Sequence, residues 1–167
     1  MAEKLKPLNI KFGLEARVND IHADTIVTLA DAGLESVFLG IESGCNSVLK
    51  RMNKLITVEQ SESAIKILRN AGVRISVGFI MFEPDSTLDE IEKNFAFLKR
   101  NGLLEHHDLT SNMLYHNQIV LKCTPGYNNL KADGRLVYDD KTPYEALFTY
   151  KHPEVGRINQ AMGELTR

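Results

Sequence analysis

Charged and polar residues recur where strand-like runs give way to helix-like ones, at Arg17, Glu42, Ser43 and the Glu83-Pro84 turn. In parallel α/β folds ligands gather at the carboxyl ends of strands, because loops and helix N-termini converge there. Each residue also has a local role open to it. Glu42 can pair with Arg51 or Lys54, Ser43 can cap the helix that follows, and Arg17 can bridge Glu15 or Glu42 instead of meeting an anionic ligand. Cys45 follows the Gly44 turn at a helix start, where the helix dipole favours a thiolate, yet a free cysteine more often behaves as a small buried hydrophobe. His106-His107-Asp108 reads as an exposed loop, since adjacent side chains do not converge as i,i+4 metal ligands do. Tyr115 and His116 point to opposite faces of a strand, which leaves His116 as a candidate on the substrate side. No Ser-His-Asp or Cys-His set, P-loop or GxGxxG is present.

The elements that must position these residues alternate short β-rich runs with longer helical ones, the pattern of parallel strands joined by crossover helices. Residues 10–17 read as a first strand, with Asp20 capping a helix that stops at Gly33. Residues 35–41 form a second strand, followed by a short helix carrying Val48, Leu49 and Met52. Thr57 to Gln60 has the form of a capping box, and Ala64, Ile65, Leu68 and Ala71 mark one buried face of its helix. Residues 73–82 are nearly continuously apolar, as expected of a strand buried on both faces. A second capping box, Thr87 to Glu90, opens a helix whose stripe is Ile91, Phe95 and Leu98. Residues 112–121 suggest a fourth strand, Tyr127 to Ala132 a short helix, and 145–150 and 155–165 further helices.

The 167 residues are enough for one core, with 43% hydrophobic and 25% charged residues. A formal net charge of -2 removes bulk charge as a reason for nucleic-acid binding. The longest apolar stretches run about ten residues, half of the roughly 20 a membrane helix needs, and the opening residues lack an apolar signal region. A cytoplasmic location without membrane association is the expectation. Cys45 and Cys123 have no CxxC spacing, so neither a disulfide scaffold nor a zinc site is specified.

Arg17, Gly40-Ile41-Glu42-Ser43-Gly44, Val48 to Lys54, Thr57-Val58-Glu59, Ala71-Gly72 and Val77 to Pro84 stand in colinear order. In that order and spacing the chain resembles the radical S-adenosylmethionine superfamily, in particular its cobalamin-binding, methylthiotransferase and elongator-like branch. The likeness weakens through Ile119 to Leu121 and Thr124-Pro125-Gly126 and fades after Leu136. It implies an α/β fold, a partial, open, parallel (β/α) TIM-like barrel of about four βα units. Residues 1–140 would form the barrel portion and 141–167 a helical extension of the same domain.

The resemblance also implies cofactors, S-adenosylmethionine and a [4Fe-4S] cluster, with cobalamin a further candidate. The implied reaction is reductive cleavage of S-adenosylmethionine to a 5′-deoxyadenosyl radical. By analogy Glu42 and Lys54 lie near the methionine moiety, where a carboxylate suits an ammonium and a cation suits a carboxylate. Ser43 is within the family's reach of the ribose, Arg17 of the cofactor carboxylate or substrate, and Phe79 and Ile80 belong to the strand that flanks the adenine. The CxxxCxxC motif that holds the cluster is absent. No metal ligand is therefore expected in this chain, which reads as a fragment inactive alone, supplying cofactor cradle and substrate wall. Its first partner would be the missing N-terminal half-barrel, and exposed strand edges imply self-association. Two other readings compete: a degenerate stand-alone α/β binding module, its first edge blunted by Lys4, Lys6 and Pro7, and an aldolase-like barrel using Lys54 as a Schiff-base amine.

Overall fold

The computed structural model describes residues 2–105, 113–137 and 143–165. Among them the chain divides into two compact units, Met1–Phe79 with Ala96–Glu105, and Ile80–Phe95 with His106–Arg167. The expected His106-His107-Asp108 loop and Asn112 lie outside the described residues.

The first unit begins with α1 (Ala2–Leu5) and a 3-10 turn at Lys6–Leu8, so Lys4, Lys6 and Pro7 lie on no strand edge. Its sheet holds β1 (Phe12–Arg17), β2 (Leu34–Glu42) and β3 (Arg74–Phe79), all parallel, in the order β1-β2-β3. This open sheet is the α/β architecture expected. The connections are α2 (Ala23–Asp31), and α3 (Asn46–Arg51) followed by α4 (Val58–Asn70). Asp20 does not cap α2: it ends a 3-10 turn, and His22 occupies the cap without a side-chain bond. The Thr57 box forms as read, with Thr57 accepting from the Gln60 amide at 3.3 Å and Gln60 accepting from the Thr57 amide at 2.8 Å. Val37, Leu39 and Ile41 of β2 are fully buried, as are Leu68 of α4 and Phe97 and Leu98. At roughly 1.5 to 3 kcal/mol for each large apolar side chain, this one-sided packing holds the helices on the sheet.

The opposite face of the sheet carries different residues. Register pairs Gly13 with Ser36, Glu15 with Phe38 and Arg17 with Gly40, then Ser36 with Arg74, Phe38 with Ser76 and Gly40 with Gly78. β3 is half-buried up to Phe79, not buried on both faces, because it is a strand at the edge of the sheet.

α5 (Leu88–Arg100) passes from the second unit into the first. Thr87 and Glu90 make its capping box by reciprocal bonds of 3.1 and 3.3 Å. Its buried face is rotated from the expected stripe: Phe95 is 45% exposed, whereas Glu90, Asn94, Phe97 and Leu98 are buried.

The second unit has a small antiparallel sheet, ordered β4 (Val120–Leu121), β6 (Glu145–Phe148), β5 (Leu136–Val137). The segment read as a fourth strand is reduced to a helical turn at 113–115, a parallel bridge from Asn117 to Phe82, and β4. Residues 145–148 are a strand, not a helix. Glu, Ala and Leu are good helix formers, but propensity yields to tertiary context, and cross-strand pairing of Ala146 with Val120 overrides it. α6 (Pro125–Ala132) starts with Pro125 inside its first turn and Thr124 as its cap, and α7 (Pro153–Leu165) closes the described chain. Val120, Leu130 and Ala146 form the buried cluster, with Tyr127, Leu136 and Phe148 against it.

Candidate functional site

Arg17 ends β1 in register with Gly40, while Glu42 ends β2 opposite Phe79, which ends β3. The topology thus brings three of the expected site residues to one carboxyl edge of one sheet. Between Gly40 and Glu42 the register shifts, and Glu42 takes a left-handed backbone, φ 70°. A glutamate there costs of order 1 kcal/mol, and such outliers concentrate at ligand sites.

The Glu42 carboxylate accepts from Lys54 Nζ at 2.8 Å, with side chains 22% and 40% exposed. Of the local pairings open to Glu42, this is the one the structure makes. Lys54 is held by its backbone: Asn53 is left-handed, the Lys54 amide donates to Leu49 O at 2.9 Å, and Asn19 Nδ2 donates to Leu55 O at 3.2 Å. Asn46 Oδ1 then accepts from the Val58 amide at 2.9 Å, fixing where α4 starts. The loop delivers an ammonium to the sheet edge with little freedom of its own.

Ser43 is fully buried, and its Oγ accepts from the Cys45 amide at 3.1 Å, so its hydroxyl serves the local turn. Cys45 is buried as the cap of α3, with Sγ 3.2 Å from Ser47 Oγ. Arg17 is exposed and makes no ion pair with Glu15 or Glu42 among the described residues. The Phe79 ring is taken up by the core, stacked on Phe97 with centroids 6.0 Å apart. Gly44 lets that stack form, since a Cβ there would stand 2.2 Å from Phe97 Cβ.

Ile80 belongs to the second unit. Its carbonyl and that of Met81 accept from Asn94 Nδ2, at 3.5 and 3.2 Å. The amides of Met81 and Phe82 both donate to His116 O, so His116 contributes its backbone while its side chain is exposed. The turn after Phe82 is densely bonded. Glu83, 5% exposed, accepts from the Asp85 amide at 2.9 Å, while Ser86 Oγ accepts from the Glu83 amide at 3.1 Å. Arg135, its side chain 13% exposed, donates to Pro84 O at 2.9 Å and to Asp85 Oδ1 at 2.6 Å. Tyr150 donates to Asn117 Oδ1 at 2.7 Å; burial, with the Glu83 carboxylate adding to it, pushes its phenol well above the ordinary value near 10.

Asn94, Arg135 and Tyr150 escaped the sequence reading. Only Asn94 left a signal there, as a polar residue four positions after Glu90 on the side of α5 that turns out buried. Among the described residues no three His, Cys, Asp or Glu side chains gather as a metal site, and no helix is long and apolar enough to cross a membrane.

The sequence model described as the Radical SAM superfamily matches residues 1–98. The 4'-phospho-dehydrooxetanocin synthase of Priestia megaterium is 37% identical over 89 residues, covering 50% of this chain and 12% of the relative. An uncharacterized methyltransferase of Pyrococcus horikoshii is 31% identical over 97 residues, covering 58% of this chain and 21% of the relative. Among solved structures, the cobalamin-dependent S-adenosylmethionine radical enzyme OxsB with aqua-cobalamin bound superposes with a TM-score of 0.80 at 22% identity, over 96% of this chain and 30% of that one. The chain therefore spans less than a third of the length of each of these three proteins.

Proposed function

Because this chain belongs to the radical SAM superfamily, we propose that it supplies part of the S-adenosylmethionine cradle and of the substrate wall in a longer enzyme that cleaves this cofactor reductively. The [4Fe-4S] cluster does not fit this chain's own residues: three thiolates are needed and Cys45 and Cys123 are its only cysteines. The chain by itself is accordingly inactive. S-Adenosylmethionine does fit, since the carboxyl edge offers Glu42 to an ammonium and Lys54 and Arg17 to a carboxylate. When bound beside a reduced cluster elsewhere in the protein, the cofactor supplies one-electron cleavage of a sulfur–carbon bond.

The observation that carries the reading is Glu42. Its left-handed backbone at a register shift, where the Ser43 amide closes a tight turn on Ile41 O at 2.9 Å, sets its carboxylate 2.8 Å from a backbone-anchored lysine and spends conformational energy at a strand end. Lys54 holds the carboxylate in place, Arg17 adds a second cation on the neighbouring strand, and the Phe79-Phe97 stack stiffens the third. Ile80 enters the proposal through its backbone, next to the apolar run that would flank the adenine. The likeness to the cobalamin-dependent OxsB supports cobalamin as a cofactor of the longer protein. The competing stand-alone module finds support in the two-cysteine count alone.

Calorimetric titration of S-adenosylmethionine into the chain tests this. Binding that weakens about tenfold or more in Glu42→Gln and in Lys54→Met, the loss of one charge-assisted contact each, is the expected result. No heat of binding, or affinity in both variants equal to that of the unsubstituted chain, overturns the cradle.

A further inference from the structure

On the face of the sheet turned away from the buried Val37, Leu39 and Ile41, β2 carries Ser36, Phe38 and Gly40. Phe38 is 44% exposed, although both its neighbours in the strand are 0% exposed. Its ring leans toward β3, where a Cβ built on Gly78 would stand 3.1 Å from Phe38 Cζ. Gly40 is in register with Gly78, and a Cβ on it would meet only Glu42 Oε1, at 3.6 Å. Packing within the chain thus explains the glycine beside the ring and leaves Gly40 unexplained. Glycine inside a strand weakens it, and such positions recur where a ligand comes close to the backbone.

Two polar groups border the ring. Glu15 of β1 is in register with Phe38, exposed and without an ion pair among the described residues, and Ser76 of β3 is in register on the other side. An aromatic ring left open to solvent attracts planar rings and cations, and a carboxylate at its rim accepts hydrogen bonds. Gly40 lies between Phe38 and Glu42 on β2, so the ring and the Glu42 carboxylate share one floor. All of these residues belong to the first unit.

We propose that Phe38 is a stacking platform with Glu15 as its acceptor, so that the substrate wall takes a planar, conjugated ring with an N–H-bearing or cationic rim. This rests on the cradle and wall proposed above and gives the wall its substrate class. Arg17 is an exposed cation of the same strand as Glu15, and an anionic ring would seek it instead.

The test titrates the isotope-labelled full chain with three probes and reads backbone amide shifts. Benzamidine is planar with a cationic N–H head, benzoate is planar and anionic, and cyclohexanecarboxamidine carries the cationic head on a puckered ring. Benzamidine should shift Glu15, Phe38 and Ser76 together and bind about fivefold more tightly than either of the others, the worth of one aromatic contact or one charged partner. Phe38→Leu, which keeps an apolar side chain, and Glu15→Gln should each weaken benzamidine by a similar factor. Both should keep the melting temperature and the affinity for S-adenosylmethionine, because neither removes Glu42 or Lys54. Benzoate bound as tightly as benzamidine, or benzamidine bound equally well by Phe38→Leu, overturns the inference. Should the unsubstituted chain bind S-adenosylmethionine while benzamidine shifts nothing on this face, the platform alone fails. Should benzamidine bind as expected and S-adenosylmethionine not at all, the cradle fails and the platform stands.

Discussion

The two units handle charge in opposite ways. In the first, the ion pair at the sheet edge is open to water on the lysine side, and the core beneath it is apolar and tightly closed. In the second, Glu83, Asn94, the Arg135 guanidinium and Tyr150 are mostly buried and satisfied by one another or by backbone. Exposed pairs are worth little to stability and are free to exchange partners for a ligand, whereas buried polar groups are costly to disturb and hold shape. The difference therefore separates a face free to exchange its partners from a set of buried contacts that keep their shape.

Substitutions can break this contrast, the largest effect coming first. Gly33, in the first unit, has φ 107°, and a Cβ there would stand 2.1 Å from the backbone oxygen of Ile10. Gly33→Ala should lower stability by about 4 kcal/mol, as left-handed strain and overpacking combine. Gly134 in the second unit is also left-handed, at φ 67°, but meets nothing within 4 Å. Gly134→Ala should cost only about 1 kcal/mol. Urea denaturation of the pair tests whether close packing distinguishes the units; equal losses would dissolve the distinction.

Next in size is the ion-pair comparison. Arg135→Met removes a largely buried guanidinium from Pro84 O and Asp85 and should cost about 2 to 3 kcal/mol. Lys54→Met should change stability by less than about 0.5 kcal/mol. A Lys54 effect as large as that of Arg135 would mean that the edge pair is structural.

The last comparison is alkaline. Tyr150 has its folded-state pKa raised above the unfolded value near 10, chiefly by burial. Its neutral form thus stabilises the fold below pH 10, and that contribution is lost as pH climbs from there toward the folded-state value. Tyr150→Phe should lose about 1 kcal/mol at neutral pH with the Asn117 bond, and its stability should then fall less steeply than that of the unsubstituted chain above pH 10. Parallel curves would contradict the burial of the phenol.

The same contrast explains what could be read from the chain. In the first unit the presence of β1 and β2 and the Thr57 box followed from local signals, because alternation of Val37, Leu39 and Ile41 and a cap with its partner are written within a few residues, whereas the third strand, read to Phe82, ends at Phe79. On charge alone Glu42 is open to Arg51 and to Lys54, and only the structure selects Lys54. Glu145 to Phe148 was not, since its strand exists only through pairing with Val120 and Val137 segments distant in sequence. The rotation of α5 hid for the same reason: Phe95 outranks Asn94 in hydrophobicity, and only the carbonyls of Ile80 and Met81 make the asparagine the buried residue. Arg135 lies far along the chain from Pro84, and no local pattern announces that contact.

Backbone amide spectra recorded while S-adenosylmethionine is added to the isotope-labelled chain test the central claim most directly. Shifts that saturate together at Arg17, Glu42 to Gly44, Lys54 and Phe79 to Ile80 are the predicted result. Shifts confined to the antiparallel sheet of the second unit, or none at saturating ligand, would contradict it.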